Sequence, residues 1–161
     1  MCLIWGVQKS ARPGQGHMIN WMAELIRDIK SRGLRIIITA PTLGEYLAGF
    51  NDDDALQQLT AIQQDFIVQP YDAPAAALAA RLYRGAKDVG ILTELTTIDG
   101  YSRQSIKTDL QIIAASVVGK ATVLYSHGAE FTKFKKLAKG TIIVKDIPDP
   151  EKEQLFKTTH S

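Results

Sequence analysis

The chain has one cysteine, Cys2, in 161 residues. No intrachain disulfide can form, which excludes the disulfide-stapled secreted scaffolds and fits a reducing compartment. Excess charge is also lacking: 19 Lys+Arg stand against 17 Asp+Glu, a net charge of +2. A chain that wraps nucleic acid by sheer positive charge is thereby excluded, although a local basic patch is not. No apolar run approaches the roughly 18 residues that span a bilayer. The opening residues 1–7 have no basic residues before them and are too short for a secretory h-region. What is present, 45% hydrophobic and 22% charged residues, is the composition of a packed domain. The length suits one domain, so a single cytoplasmic domain over residues 1–161 is expected, with a charged tail from residue 146.

Met18, Met22, Leu25, Ile26 and Ile29 recur at spacings of three and four, which predicts a helix over residues 17–32, stopped at Gly33. Residues 34–39 form a short β-branched run and read as a buried strand. A helix over 41–48 follows, then another through Gln64 with Asp52, Asp53 and Asp54 as capping candidates. Residues 66–69 read as a second strand and the alanine- and leucine-rich residues 75–87 as a helix. Residues 89–105 show no clean period and read as an irregular connection. Ile106, Leu110, Ile113 and Val117 predict a helix over 106–118. A strand over 121–125, a helix over 130–139 and a strand over 141–144 complete the series. Strands separated by helices of this size argue for parallel β–α–β units in a layered α/β domain. Such sheets place ligand sites beyond the carboxyl ends of their strands. The chemistry is therefore sought after Thr39, Gln69, Tyr125 and Val144.

Three of these places carry acids. After Thr39 comes Thr42-Leu43-Gly44-Glu45, which reads either as a capping box or as a carboxylate facing the cleft. Asp109 lies three residues after Ile106 and four before Ile113, at the border of the apolar stripe. A carboxylate there costs desolvation unless something pairs with it, and the alternative is a first-turn aspartate favoured by the helix dipole. Following the third strand, Ser126 and Glu130 either cap the next helix and complement its dipole or hold a hard cation and its waters.

Taken together, these segments resemble the PIN domain, the fold of VapC-type toxin ribonucleases. Thr42 and Glu45 resemble its second acidic motif, Asp109 with Ile112, Ala114 and Ala115 its third, and Ser126, Glu130 and Phe131 its last. The likeness spans nearly the whole chain on short, degenerate motifs. It implies a three-layer α/β/α sandwich with a central, mainly parallel sheet. It further implies a metal-dependent endoribonuclease, with Glu45, Asp109 and Glu130 as catalytic and Mg²⁺- or Mn²⁺-binding residues and Thr42 and Ser126 in support. Paired divalent ions suit phosphodiester cleavage because they stabilise both the attacking and the departing oxygen. RNA as substrate, a small antitoxin protein as partner and a homodimer follow from the same likeness.

The chain departs from the pattern twice. Met1-Cys2-Leu3-Ile4-Trp5 resembles the start of the family's first helix, without the preceding strand and its aspartate, so the chain is expected to begin after that strand. Gly128 stands where the last motif carries an aspartate. With fewer acids, the alternative function is a degenerate PIN scaffold that serves as an RNA- or protein-binding module.

The remaining candidates are less specific. Lys133, Lys135, Lys136 and Lys139 crowd one helix; such a run is either a solvated face or, in a nuclease, a grip on RNA phosphates. Arg12-Pro13-Gly14-Gln15-Gly16-His17 sits where a dinucleotide-binding loop would, but Ile19 replaces its third glycine. A flexible loop is the preferred reading. His17, His127 and His160 form no metal-ligand spacing with Cys2. Trp5 and Trp21 lie on apolar segments and read as core.

Overall fold

A computed structural model describes residues 16–149, apart from the side chain of Glu130. Cys2, Trp5, most of the 12–17 loop, the tail beyond residue 149 and His160 lie outside the described residues.

Helix α1 (Gly16–Ser31) buries Met18, Met22 and Leu25. They pack with Ile147 and with the flanks of Trp21, Ile26, Ile29 and Tyr125. The helix ends in a glycine-dependent reverse turn. Leu34 donates to the Ile29 carbonyl at 3.1 Å and Gly33 to Lys30 at 3.0 Å, while Gly33 takes φ +67°, where a side chain would clash. Strand β1 (Ile37–Thr39) then runs straight into α2 (Ala40–Leu47). It is shorter than predicted, since Leu34 is half exposed and lies outside the pairing. Helix α3 (Asp52–Asp65) is capped by Asn51, whose side chain accepts from the Asp54 amide, so Asp52 to Asp54 form its first turn instead of capping it. Strand β2 (Ile67–Gln69) pairs with β1 in parallel, Ile38 opposite Val68. Ile38, Leu43, Tyr46 and Ile62 make the core beneath this unit.

Helix α4 (Ala73–Asp88), capped by Asp72, presents buried Ala75, Ala79 and Ala86 and lies along α6 (Arg103–Val118). Small side chains on this face let the two helices approach closely. Between them, residues 89–105 are not wholly irregular. Gly90 turns the chain at φ +80° into α5 (Ile91–Thr97). Ile91, Leu92 and Leu95 supply its inner face, but the threonines between them blur the period. Thr96 and Thr97 bond back to the carbonyls of Leu92 and Thr93 at 2.8 and 2.6 Å, which spends their hydroxyls inside the helix.

Helix α6 carries the largest buried set, including Ile106, Leu110, Ile112 and Ile113, and it touches α2, α4, α5 and β1. Strand β3 (Val123–Ser126) leads into α7 (Gly128–Leu137), and β4 (Ile143–Asp146) pairs with β3 in parallel, Leu124 opposite Val144. Among the described residues the strand pairing is all parallel, as expected, and runs within two pairs, β1–β2 and β3–β4. No helix among the described residues is long and apolar enough to cross a membrane.

Candidate functional site

The candidate residues sit at the carboxyl ends of β1 and β3 and on α6, where a parallel α/β domain gathers its ligand groups. At the end of β1, Pro41 sets the start of α2. Its missing amide suits the first helical turn, so the N-cap falls on Thr39. The capping-box reading of Thr42 and Glu45 is therefore corrected, because Glu45 lies beyond the first turn. Thr42 instead shares a hydrogen bond with Thr39, Oγ1 to Oγ1 at 2.9 Å. Glu45 is exposed on α2.

Asp109 is buried, at 6% exposure. Helix α6 begins at Arg103, with Ser102 accepting from the Ser105 amide, so Asp109 also lies past the first turn and the dipole explanation does not apply. Its partner is Lys133 of α7, Nζ to Oδ2 at 2.8 Å. The Lys133 side chain is 2% exposed. The same ammonium donates to Ser105 Oγ at 3.2 Å and lies 4.4 Å from the centre of the Tyr101 ring. A carboxylate, a hydroxyl and an aromatic face thus surround it, each favourable to a cation. Lys133 was expected on a solvated, RNA-gripping face, and the structure corrects that exposure: the side chain is interior.

The neighbouring lysines divide in the same way. Lys136 is held by Glu94 and by Asp99, each at 2.8 Å. The Asp99 hydrogen bond, then that of Glu94, pushes its pKa up to about 12. Lys133 and Lys136 therefore tie α7 to α6 and to the α5 segment. Lys135 is exposed, 5.7 Å from the centre of the Phe131 ring. Ser105 and Tyr101 escaped the sequence reading. Ser105 had a signal, since it stands one helical turn before Asp109 on the same face. So did Lys133, one turn before buried Leu137 on the inner stripe of α7.

Ser126, the last residue of β3, is 3% exposed, and its hydroxyl has no hydrogen-bond partner among the described residues. It does not cap α7. His127 holds that position, and its Nδ1 lies 2.7 Å from Asp146 Oδ1 across the ends of β3 and β4. Gly128 adopts φ +63°, a left-handed conformation that glycine takes at no steric cost. Glu130 belongs to α7, and its side chain lies outside what is described.

Glu45 and Asp109 are carried by helices that pack on each other, one acid exposed and the other buried. No protein-family model and no curated protein matches the chain. A solved structure does. It is the crystal structure of VapBC2 from Rickettsia felis bound to a DNA fragment from their promoter, with a TM-score of 0.58. The match covers 91% of this chain and 93% of that one, at 12% identity. The chain has a PIN-like α/β fold.

The sequence resemblance to PIN domains implies Mg²⁺ or Mn²⁺, and the described residues, which leave out the Glu130 side chain, do not by themselves make a site for such an ion. No group of three or more His, Cys, Asp or Glu converges among them. Magnesium binds through carboxylate oxygens and its own waters, yet the buried carboxylate here is already matched by an ammonium group. The charge that would draw a divalent ion to Asp109 is cancelled from within.

Proposed function

We propose that this chain is a VapC-like protein of a toxin–antitoxin type pair that binds RNA without cleaving it. One observation carries the choice of binding over cleavage: Lys133 matches Asp109 at 2.8 Å inside the fold. Carboxylates serve phosphodiester cleavage by holding metal, and one that is internally neutralised has little affinity left for it. RNA affinity needs no metal, because it arises mostly from cations that displace counterions at the phosphates. Of the three lysines expected to grip RNA, Lys135 takes that role in this reading. Lys133 and Lys136 hold the protein together. The similar structure is of a VapBC2 complex on DNA, which supports a nucleic-acid ligand and a small antitoxin as protein partner; a homodimer is the expected working form.

A second reading, the metal-dependent endoribonuclease, draws support from Glu45 and Asp109 on neighbouring helices and from the unengaged buried hydroxyl of Ser126. A labelled single-stranded RNA separates the two. The parent chain is expected to bind it in EDTA and leave it intact in Mn²⁺. The slope of log affinity against log salt should fall by about 0.7 in Lys135→Ala, the value for one phosphate contact on a single strand. Cleavage in Mn²⁺ that disappears in Glu45→Gln and in Asp109→Asn would replace binding with the nuclease reading. An unchanged slope in Lys135→Ala removes that lysine from the interface.

A further inference from the structure

We infer that Lys133 is the resident counter-ion of Asp109, an internal group that bars a divalent ion from that carboxylate. Three of its contacts come from α6 and the segment just before it. Asp109 Oδ2 on α6 lies at 2.8 Å. Ser105 Oγ, one turn earlier on α6, lies at 3.2 Å. The ring of Tyr101, before α6, lies at 4.4 Å. Lys133 itself comes from α7, and at 2% exposure its ammonium group is buried in the fold rather than lying loosely over a surface acid. A surface lysine would give way readily to a divalent ion, because water screens it and solvates it when displaced. This one cannot leave without carrying an unmatched charge through the interior or disturbing the packing of Phe134 and Leu137 beside it.

Ammonium and divalent ion compete for one carboxylate. Both seek Asp109, and two cations within contact distance of a single carboxylate repel each other strongly where water is excluded. With Lys133 in place, Asp109 therefore adds nothing to metal affinity. Removing the ammonium while keeping the side chain's volume should let Asp109 take up Mn²⁺. The inference concerns the same ion pair as the RNA-binding reading but does not depend on RNA, so a metal-only readout lets either fail separately.

The probe is Mn²⁺ alone, read by titration of its paramagnetic resonance signal and by the unfolding midpoint, on the full chain. For the parent, Mn²⁺ uptake and the shift of the midpoint with Mn²⁺ should match those of Asp109→Asn. Lys133→Met should gain at least tenfold in Mn²⁺ affinity, with a midpoint that climbs with Mn²⁺ concentration as expected for a ligand of the folded state. The gain should vanish in Lys133→Met/Asp109→Asn. If Lys133→Met folds only when Mn²⁺ is supplied, the inference is upheld. Lys133→Gln, which keeps a polar end for Ser105, should gain Mn²⁺ affinity in the same Asp109-dependent way. The inference is overturned if the parent takes up Mn²⁺ through Asp109, or if neither lysine variant gains affinity.

Discussion

Replacing Lys133 by methionine keeps the stem that packs in α7 and removes only the charge. Asp109 then remains at 6% exposure with its counter-charge gone. Removing one partner of a buried pair costs about 3–5 kcal/mol, because the charge left behind stays desolvated. For a chain of 161 residues, at about 2–4 °C per kcal/mol, that is a fall of roughly 6–20 °C in the unfolding midpoint. Asp109→Asn should cost a similar amount, since it leaves the Lys133 ammonium, 2% exposed, without that carboxylate. The double variant Lys133→Met/Asp109→Asn should recover most of the loss, because neither charge of the pair remains. Urea unfolding followed by circular dichroism measures all three, and constant slopes would show that the unfolded reference has not changed. The reasoning fails if Lys133→Met costs less than about 1 kcal/mol, the figure for an exposed pair. It also fails if the single effects add to within about 0.5 kcal/mol in the double variant, the mark of uncoupled sites.

Ser126→Ala should leave stability unchanged or raise it slightly, because it removes a buried hydroxyl that has no partner among the described residues. A loss above about 1 kcal/mol in urea unfolding would mean the hydroxyl is satisfied in solution. Lys136 tests the sign of a pKa effect. Its pKa rises from 10.5 in the unfolded chain to about 12 when Asp99 and then Glu94 accept its hydrogen bonds. The raised pKa means that the folded state holds the proton more tightly. Its contribution is present in full below pH 10.5 and is lost as pH rises through about 12. Lys136→Met should therefore flatten the decline in unfolding midpoint over that window, and an unaltered decline would contradict the pairing.

The helices and strands were legible in the sequence because each depends on a short-range pattern. Met18, Met22 and Leu25 share a face by spacing alone, and Ile106, Leu110 and Ile113 do the same in α6. Gly33 marks the end of α1 because the turn needs φ above zero, a requirement of its own backbone. Helix α5 was obscured because its threonines satisfy their hydroxyls on carbonyls of the same turn, which no apolar period records. The capping box at Thr42 and Glu45 fits the spacing rule, yet Pro41 moved the helix start ahead of it.

The sequence by itself therefore determined an α/β chain with acids at positions 45 and 109 on two of its helices. It could not decide what Asp109 would meet. Ser105 and Lys133, joined by a hydrogen bond beside that acid, are 28 residues apart in sequence, and only the packing of α7 brings the ammonium inward. Local spacing fixes which side of a helix a residue occupies. Whether that side faces water or another element depends on the rest of the fold, and for Lys133 the fold turned an apparent surface charge into the counter-charge of the buried acid.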